Sequence, residues 1–216
     1  MIQLCRPTDP VQHDGMNDID IRIAPAALGP VERDPVMDIL ALAFSTDPAV
    51  RYMFPGATTY LSSFNRLATA MAGSALAAGT AWVADDGAAA ALWLAPGVQP
   101  DGEAIGALVG ETVSEDKLET LGQVGELMGQ YHPAEPHWYL SMIGVDPSRQ
   151  GQGLGSALLK AGLQRCDEEG LPAYLESSSP KTVPLYERHG FEVIGLIKPG
   201  DHPGLIPMYR PARARA

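Results

Sequence analysis

Apolar and polar residues alternate through IDIRIAP (residues 19–25), the period of a half-buried strand. Helical spacing follows twice, through Val36, Ile39, Leu40 and Phe44 in residues 33–44 and through Leu61, Phe64, Leu67 and Met71 in residues 60–78. TAWVADDGAAAALWLAP (80–96) reads as a hairpin around Asp85-Asp86-Gly87, where glycine supplies the positive φ of the turn. Residues 103–130 return to helical spacing, with glycine interruptions, through Leu108, Val109, Leu118, Leu121, Val124 and Leu127.

The second half carries denser signals. HWYLSMIGV (137–145) is a strand rich in aromatic and β-branched residues, and it runs into the turn opener Asp146-Pro147. GSALLKAGLQRCDEEG (155–170) is a helix closed by Gly170. A short strand (171–179), a short helix ended by Gly190 (180–190) and two strands, FEVIGLI and IPMYR, complete the chain. The order β-α-α-β-β-α-β-α-β-α-β-β predicts an α/β protein with a mixed sheet flanked by helices. Residues 1–18 are polar and turn-rich and are expected to be disordered, leaving one domain over 19–211.

Between the strand at 137–145 and the helix at 155–170 lies VDPSRQGQGLGS, with glycines at 151, 153 and 155. A helix N-terminus exposes unpaired N–H groups, and glycines let a phosphate approach them without Cβ contacts. The surrounding residues narrow the ligand. A nucleoside-triphosphate loop needs Gly-x-x-x-x-Gly-Lys followed by Ser or Thr, whereas Gly155 is followed by Ser156-Ala157. A dinucleotide fold needs its third glycine where Ser156 stands, and it needs the loop beside the first strand. A tight strand-to-helix turn with no ligand stays open on the glycines alone.

Charge narrows the partners further. Lys and Arg number 15 against 26 Asp and Glu, a net charge of -11, which repels nucleic-acid phosphates and anionic lipid and favours cationic partners. Cys5 and Cys166 form no short-spaced pair, so neither a zinc site nor a disulfide framework is indicated, and no metal is expected. No signal peptide and no run long enough for a membrane span is visible, so a soluble, cytoplasmic protein is expected.

Gln150, Gly153 and Gly155 match the Q/R-x-x-G-x-G/A signature of the GNAT N-acetyltransferases. About 30 residues on, Leu185-Tyr186-Glu187-Arg188-His189-Gly190-Phe191 resembles the second signature of that superfamily, LYE-x-x-GF. AWVADDGAAAALWLAP, EPHWYLSMIGV and LESSSPKTVPLYERHGF also resemble the puromycin N-acetyltransferase branch. The resemblance implies a mostly antiparallel sheet of about seven strands with a splayed centre. It implies acetyl-CoA as co-substrate, with its pyrophosphate on the amides of Gln150, Gly151, Gln152, Gly153, Leu154, Gly155 and Ser156. Pantetheine would pair with the backbone of Ile143 and Val145, with Gly144 as the site of a strand bulge. Ser179 stands where many members carry Asn, and Thr182 replaces an Asn of the puromycin relatives; both sit in the coenzyme half.

The implied reaction is acetyl transfer to a primary amine of a small molecule by direct attack. Tyr186 is the implied proton donor to the departing thiolate. Glu176, at the end of a strand beside the splay, is the leading general base, with His137, His132, Glu103 and Asp47 as alternatives. Trp138, Tyr139 and Trp93 are candidates for an acceptor pocket. A protein N-terminus or lysine as acceptor, and a non-catalytic acyl-CoA sensor, are the alternative functions. Superfamily members are often dimers, so a homodimer is compatible with the resemblance.

Overall fold

The computed structural model describes residues 21–25, 35–84 and 87–213. The disorder expected for residues 1–18 therefore lies outside the described residues, as does Cys5. Seven strands form one sheet: β1 (Ile23–Pro25), β2 (Ala81–Ala84), β3 (Ala89–Leu94), β4 (Trp138–Val145), β5 (Ala173–Ser177), β6 (Glu192–Val193) and β7 (Ile206–Arg210). Their order is β1-β2-β3-β4-β5-β7-β6, and every neighbouring pair is antiparallel except β4 and β5.

Two layers of helix cover the sheet. One face packs against α1 (Pro35–Ala43), α2 (Pro48–Met53), α3 (Ala57–Ala78), α4 (Gly102–Thr112) and α5 (Glu115–Tyr131). The other packs against α6 (Leu154–Glu169) and α7 (Val183–Arg188). Strand alternation sorts the residues: Tyr139 and Tyr174 face the first layer, while Trp138, Leu140, Ala173 and Leu175 face the second.

Strand β4 does not keep that alternation throughout. Leu92 of β3 pairs with Met142 and Trp93 pairs with Leu140, so Ser141 is an extra residue in β4. The bulge shifts the phase by one. Tyr139 and Met142 then both face the α1–α5 layer, and Ile143 and Val145 both face α6. Ser141 donates to the Met71 carbonyl of α3 at 3.0 Å, which ties the bulge to that layer. The expected bulge at Gly144 is thus corrected to Ser141. Gly144 serves close packing instead, because a Cβ there would lie 2.7 Å from the Ala43 Cβ of α1.

Parallel pairing of β4 with β5 is confined to Trp138↔Ala173 and Tyr139↔Tyr174, after which the strands part. That parting is the splayed centre, and β4 continues to Val145 along its open edge. Three other expectations are adjusted. The helical stretch 103–130 is broken at Val113-Ser114, where both residues are extended, so α4 and α5 are separate helices. α2 is an additional helix, started by Asp47-Pro48. FEVIGLI forms only the two-residue β6 and an isolated Ile197–Leu205 bridge, and its Val193, Ile194 and Leu196 are exposed. Gly87 has the positive φ (100°) expected of the hairpin turn, while Asp85 and Asp86 lie outside the described residues.

Candidate active site

The glycine loop is built by a short sequence of local constraints. Asp146 accepts hydrogen bonds from the N–H and hydroxyl of Ser148, at 2.8 and 2.7 Å, which turns the chain out of β4. A single 3₁₀ turn over Pro147–Arg149 follows. Gly151 (φ 78°) and Gly153 (φ 86°) are in the left-handed region that glycine adopts without strain, and Gly153 is the N-cap of α6. A Cβ at Gly151 would meet nothing within 4 Å, so the face of the loop is open. α6 is 16 residues long with no acidic residue in its first turn, so its free N–H groups and positive dipole end are not offset by a carboxylate.

The two sequence motifs meet in space. Ser156 in the loop hydrogen-bonds His189 of the second motif, Oγ to Nε2 at 2.8 Å. Burial lowers the His189 pKa, followed by the charges of Lys160, Arg188, Arg210 and Arg213. Arg210 holds the end of α7 from below: it donates from Nε to the His189 carbonyl and bidentately to Asp167 of α6 at 2.8 and 2.9 Å.

A cavity of about 740 Å³ runs from this loop through the splay to the helices α4 and α5. Ile143, Gly144, Val145, Gln150, Gly151, Gly153, Leu154, Gly155, Ser156, Ser179, Thr182 and Tyr186 all line it. Of the predicted coenzyme residues only Gln152 does not; its side-chain carbonyl accepts from Arg149 Nε at 2.8 Å and so braces the loop. The hydroxyls of Ser177, Ser179 and Thr182 are engaged in the turn between β5 and α7. Ser177 Oγ lies 2.7 Å from Thr182 Oγ1, and Thr182 donates to the Ser179 carbonyl at 2.9 Å. These residues therefore shape the turn that presents Tyr186.

Tyr186 reaches the cavity from the α6–α7 side of the sheet, and Glu176 reaches it from the α1–α5 side. Both are pushed up by burial. The Tyr186 phenol rises to about 12, eased by the Thr182 hydroxyl and raised slightly by Asp47. The Glu176 carboxyl rises to about 7, held back by the phenols of Tyr139 and Tyr174. Tyr139 donates to Glu176 Oε2 at 2.7 Å, and the Tyr174 phenol adjoins the same carboxyl.

The other candidate bases separate clearly. Glu103 is exposed in the first turn of α4 and does not line the cavity. Asp47 lines it, but it accepts from the N–H groups of Ala49 and Val50 at 3.0 Å each and from the Ser178 hydroxyl. It is a structural cap joining α2 to the end of β5. His132 and His137 lie outside the cavity lining and form a pair, Nε2 to Nε2 at 3.1 Å, packed edge-on against Tyr174. Burial and then the charge of His137 lower the His132 pKa. Of the candidate pocket aromatics, Tyr139 lines the cavity; Trp93 and Trp138 belong to the opposite core, and Trp138 donates to Glu169 at 2.8 Å.

Among the residues at or beside the site that were not singled out from sequence are Tyr174 and His202. Tyr174 stands two residues before Glu176 on β5, so period-two alternation already places both on one face. His202 lines the cavity from the loop before β7, and no sequence signal marks it.

The family model described as Acetyltransferase (GNAT) family matches residues 67–191. An uncharacterized N-acetyltransferase of Schizosaccharomyces pombe is 46% identical over 54 residues, 25% of this chain and 22% of that protein. A mycothiol acetyltransferase of Propionibacterium freudenreichii is 40% identical over 62 residues, 27% of this chain and 20% of its own. The chain thus spans about a fifth of the length of these curated relatives. A crystal structure from Corynebacterium glutamicum, histone acetyltransferase HPA2 and related acetyltransferase, aligns with a TM-score of 0.63 at 27% identity, covering 90% of this chain and 97% of that one. A mosquito arylalkylamine N-acetyltransferase like 5b aligns with a TM-score of 0.56 at 20% identity, covering 88% and 99%, and this likeness shows the fold. No helix among the described residues is long and apolar enough to cross a membrane.

Proposed function

The chain belongs to the GNAT acetyltransferase family and is an acyltransferase, and from that premise we propose that it moves the acetyl group of acetyl-CoA to a primary amine of a small molecule. One observation carries the reading. A single cavity joins the glycine loop, the open edge of β4, a phenol on one side of the sheet and a buried carboxyl on the other. A dinucleotide site has no need of the last two. The quoted stretches that resemble puromycin N-acetyltransferase support placing the protein near that branch.

Acetyl-CoA supplies the activated thioester. The amides of Gln150 to Ser156 hold its pyrophosphate at the α6 N-terminus. Backbone groups of Ile143 and Val145 pair with pantetheine along the edge of β4 that β5 leaves open. Glu176, about half protonated near pH 7, accepts a proton from the incoming ammonium. The amine nitrogen then forms its bond to the acetyl carbonyl carbon as the C–S bond breaks. A thiol ordinarily ionises near 8.5, so a phenol at about 12 gives up its proton to a thiolate only uphill. Tyr186 therefore acts chiefly by donating a hydrogen bond to the sulfur as charge collects there, and the second N–H proton, shed by the nitrogen once its bond to the acetyl carbon has formed, reaches the thiolate through water.

Thermal unfolding with added coenzymes tests the reading. Acetyl-CoA at a hundred times its Kd stabilises by about 2.7 kcal/mol and raises Tm by several degrees, while NAD does not. Stabilisation by NAD alone sinks the proposal. Binding of acetyl-CoA without thiol release on any amine favours the non-catalytic sensor.

A further inference from the structure

The half of the cavity remote from the glycine loop has a character that neither motif explains. Ile105 and Val109 of α4, Leu121, Val124 and Met128 of α5 and Met71 of α3 face it. All but Val124 are only partly buried, so apolar surface on these helices is left uncovered by protein toward the cavity. None of the charged residues of α4 or α5 lines it. The cations in the lining, Arg149, Lys181 and Arg188, belong to the glycine loop and to the two ends of the α7 segment. The carboxylates are Asp47 and Glu176, and Asp47 is occupied by two backbone N–H groups and the Ser178 hydroxyl. That leaves one acid, Glu176, for one ammonium in the lining.

We infer that the acceptor is a monoamine carried on an apolar body, with its amino group at Glu176 and its hydrocarbon or aromatic part against α4 and α5. The inference rests on the acetyltransferase reading and narrows its substrate. A polyamine or an amino sugar would bring further charges or hydroxyls onto Ile105, Val109 and Met128, where no partner exists for them. A lysine of a protein would be separated from its apolar contacts by a polar backbone. The apolar surroundings also disfavour the ammonium form, which assists loss of its proton to Glu176. Met71 and Met128 adapt their shape readily, which favours several chain lengths over one.

The test compares kcat/KM at saturating acetyl-CoA, read as CoA thiol release, for n-octylamine, 2-phenylethylamine, spermidine, an amino sugar and a lysine-containing peptide. The expected result is a preference of about a hundredfold or more for the two apolar monoamines, since a few methylenes already discriminate by that much. Met128→Glu places a carboxylate on the wall of a partly exposed helix position. It is expected to lower kcat/KM for octylamine about tenfold or more and to raise it for spermidine, while acetyl-CoA affinity measured by calorimetry stays unchanged. Met128→Leu keeps the wall apolar and should keep the preference for octylamine over spermidine, whatever its absolute rate. Equal or better turnover of spermidine, amino sugar or peptide by the wild type overturns the inference and leaves the acetyltransferase reading intact. So does an unchanged octylamine-to-spermidine ratio in Met128→Glu. Bound acetyl-CoA with no thiol release on any of the amines overturns both.

Discussion

Glu176 and Tyr186 meet the cavity from opposite sides of the sheet, and burial raises the pKa of both with opposite consequences. The carboxyl is brought to the range a general base needs at neutral pH, the role proposed for it, and the phenol stays protonated through that whole range. In the wild type kcat/KM should rise with pH through about 7, the Glu176 value. Glu176→Gln should remove that limb and lower kcat/KM by about 10²–10⁴. Tyr186→Phe should lower kcat by about ten- to a hundredfold, the worth of one hydrogen bond to a charged group. Stability has its own signature. The folded carboxyl keeps its proton to about 7 while an unfolded one ionises near 4.5, so the contribution of Glu176 to stability is fully present below 4.5 and is lost as pH rises to 7. Glu176→Gln should abolish that fall and gain on the order of 2 kcal/mol above pH 8, read by urea unfolding at two pH values. A pH-independent difference between the two proteins would contradict the buried-carboxyl account.

At the scale of elements, α7 matters because it carries Tyr186, and Arg210 of β7 fixes its end. The guanidinium is almost fully buried and is satisfied by Asp167 and the His189 carbonyl. Asp167→Asn leaves that charge without its counterion and should cost about 3 kcal/mol, lowering Tm by several degrees. Adding Arg210→Met should recover part of the loss, because the uncompensated charge goes with it; a further fall in Tm would mean the pair acts otherwise. Much of this level was legible in the sequence. The alternation of β4, the glycine loop and the LYERHGF helix each carry local patterns that decide their own conformation. The Ser141 bulge was not, because the extra residue exists only relative to the pairing of β3. Nor was the short β6, since FEVIGLI has strand composition but ladder pairing only at Glu192 and Val193, with an isolated bridge at Ile197.

Across the whole molecule, the proposed donor half and the proposed acceptor half of the cavity follow different rules. The proposed donor half rests on two continuous segments, so the resemblance to the GNAT signatures sufficed to point to Gln150 to Ser156 and Tyr186. The acceptor half is assembled from α1 to α5, whose contributions share no segment, and an apolar residue such as Val109 or Met128 looks like any core position until the packing is known. Glu176 is the exception, visible because the strand beside a splayed centre has a defined open end. The measurement that bears most directly on the central claim follows CoA thiol release and amide formation together, with acetyl-CoA and 2-phenylethylamine. Thiol and N-acetyl amide are expected to appear in equal amounts and only when amine and protein are both present. Thiol released at the same rate without amine, or acetyl-CoA bound with no amide formed from any amine, would contradict it.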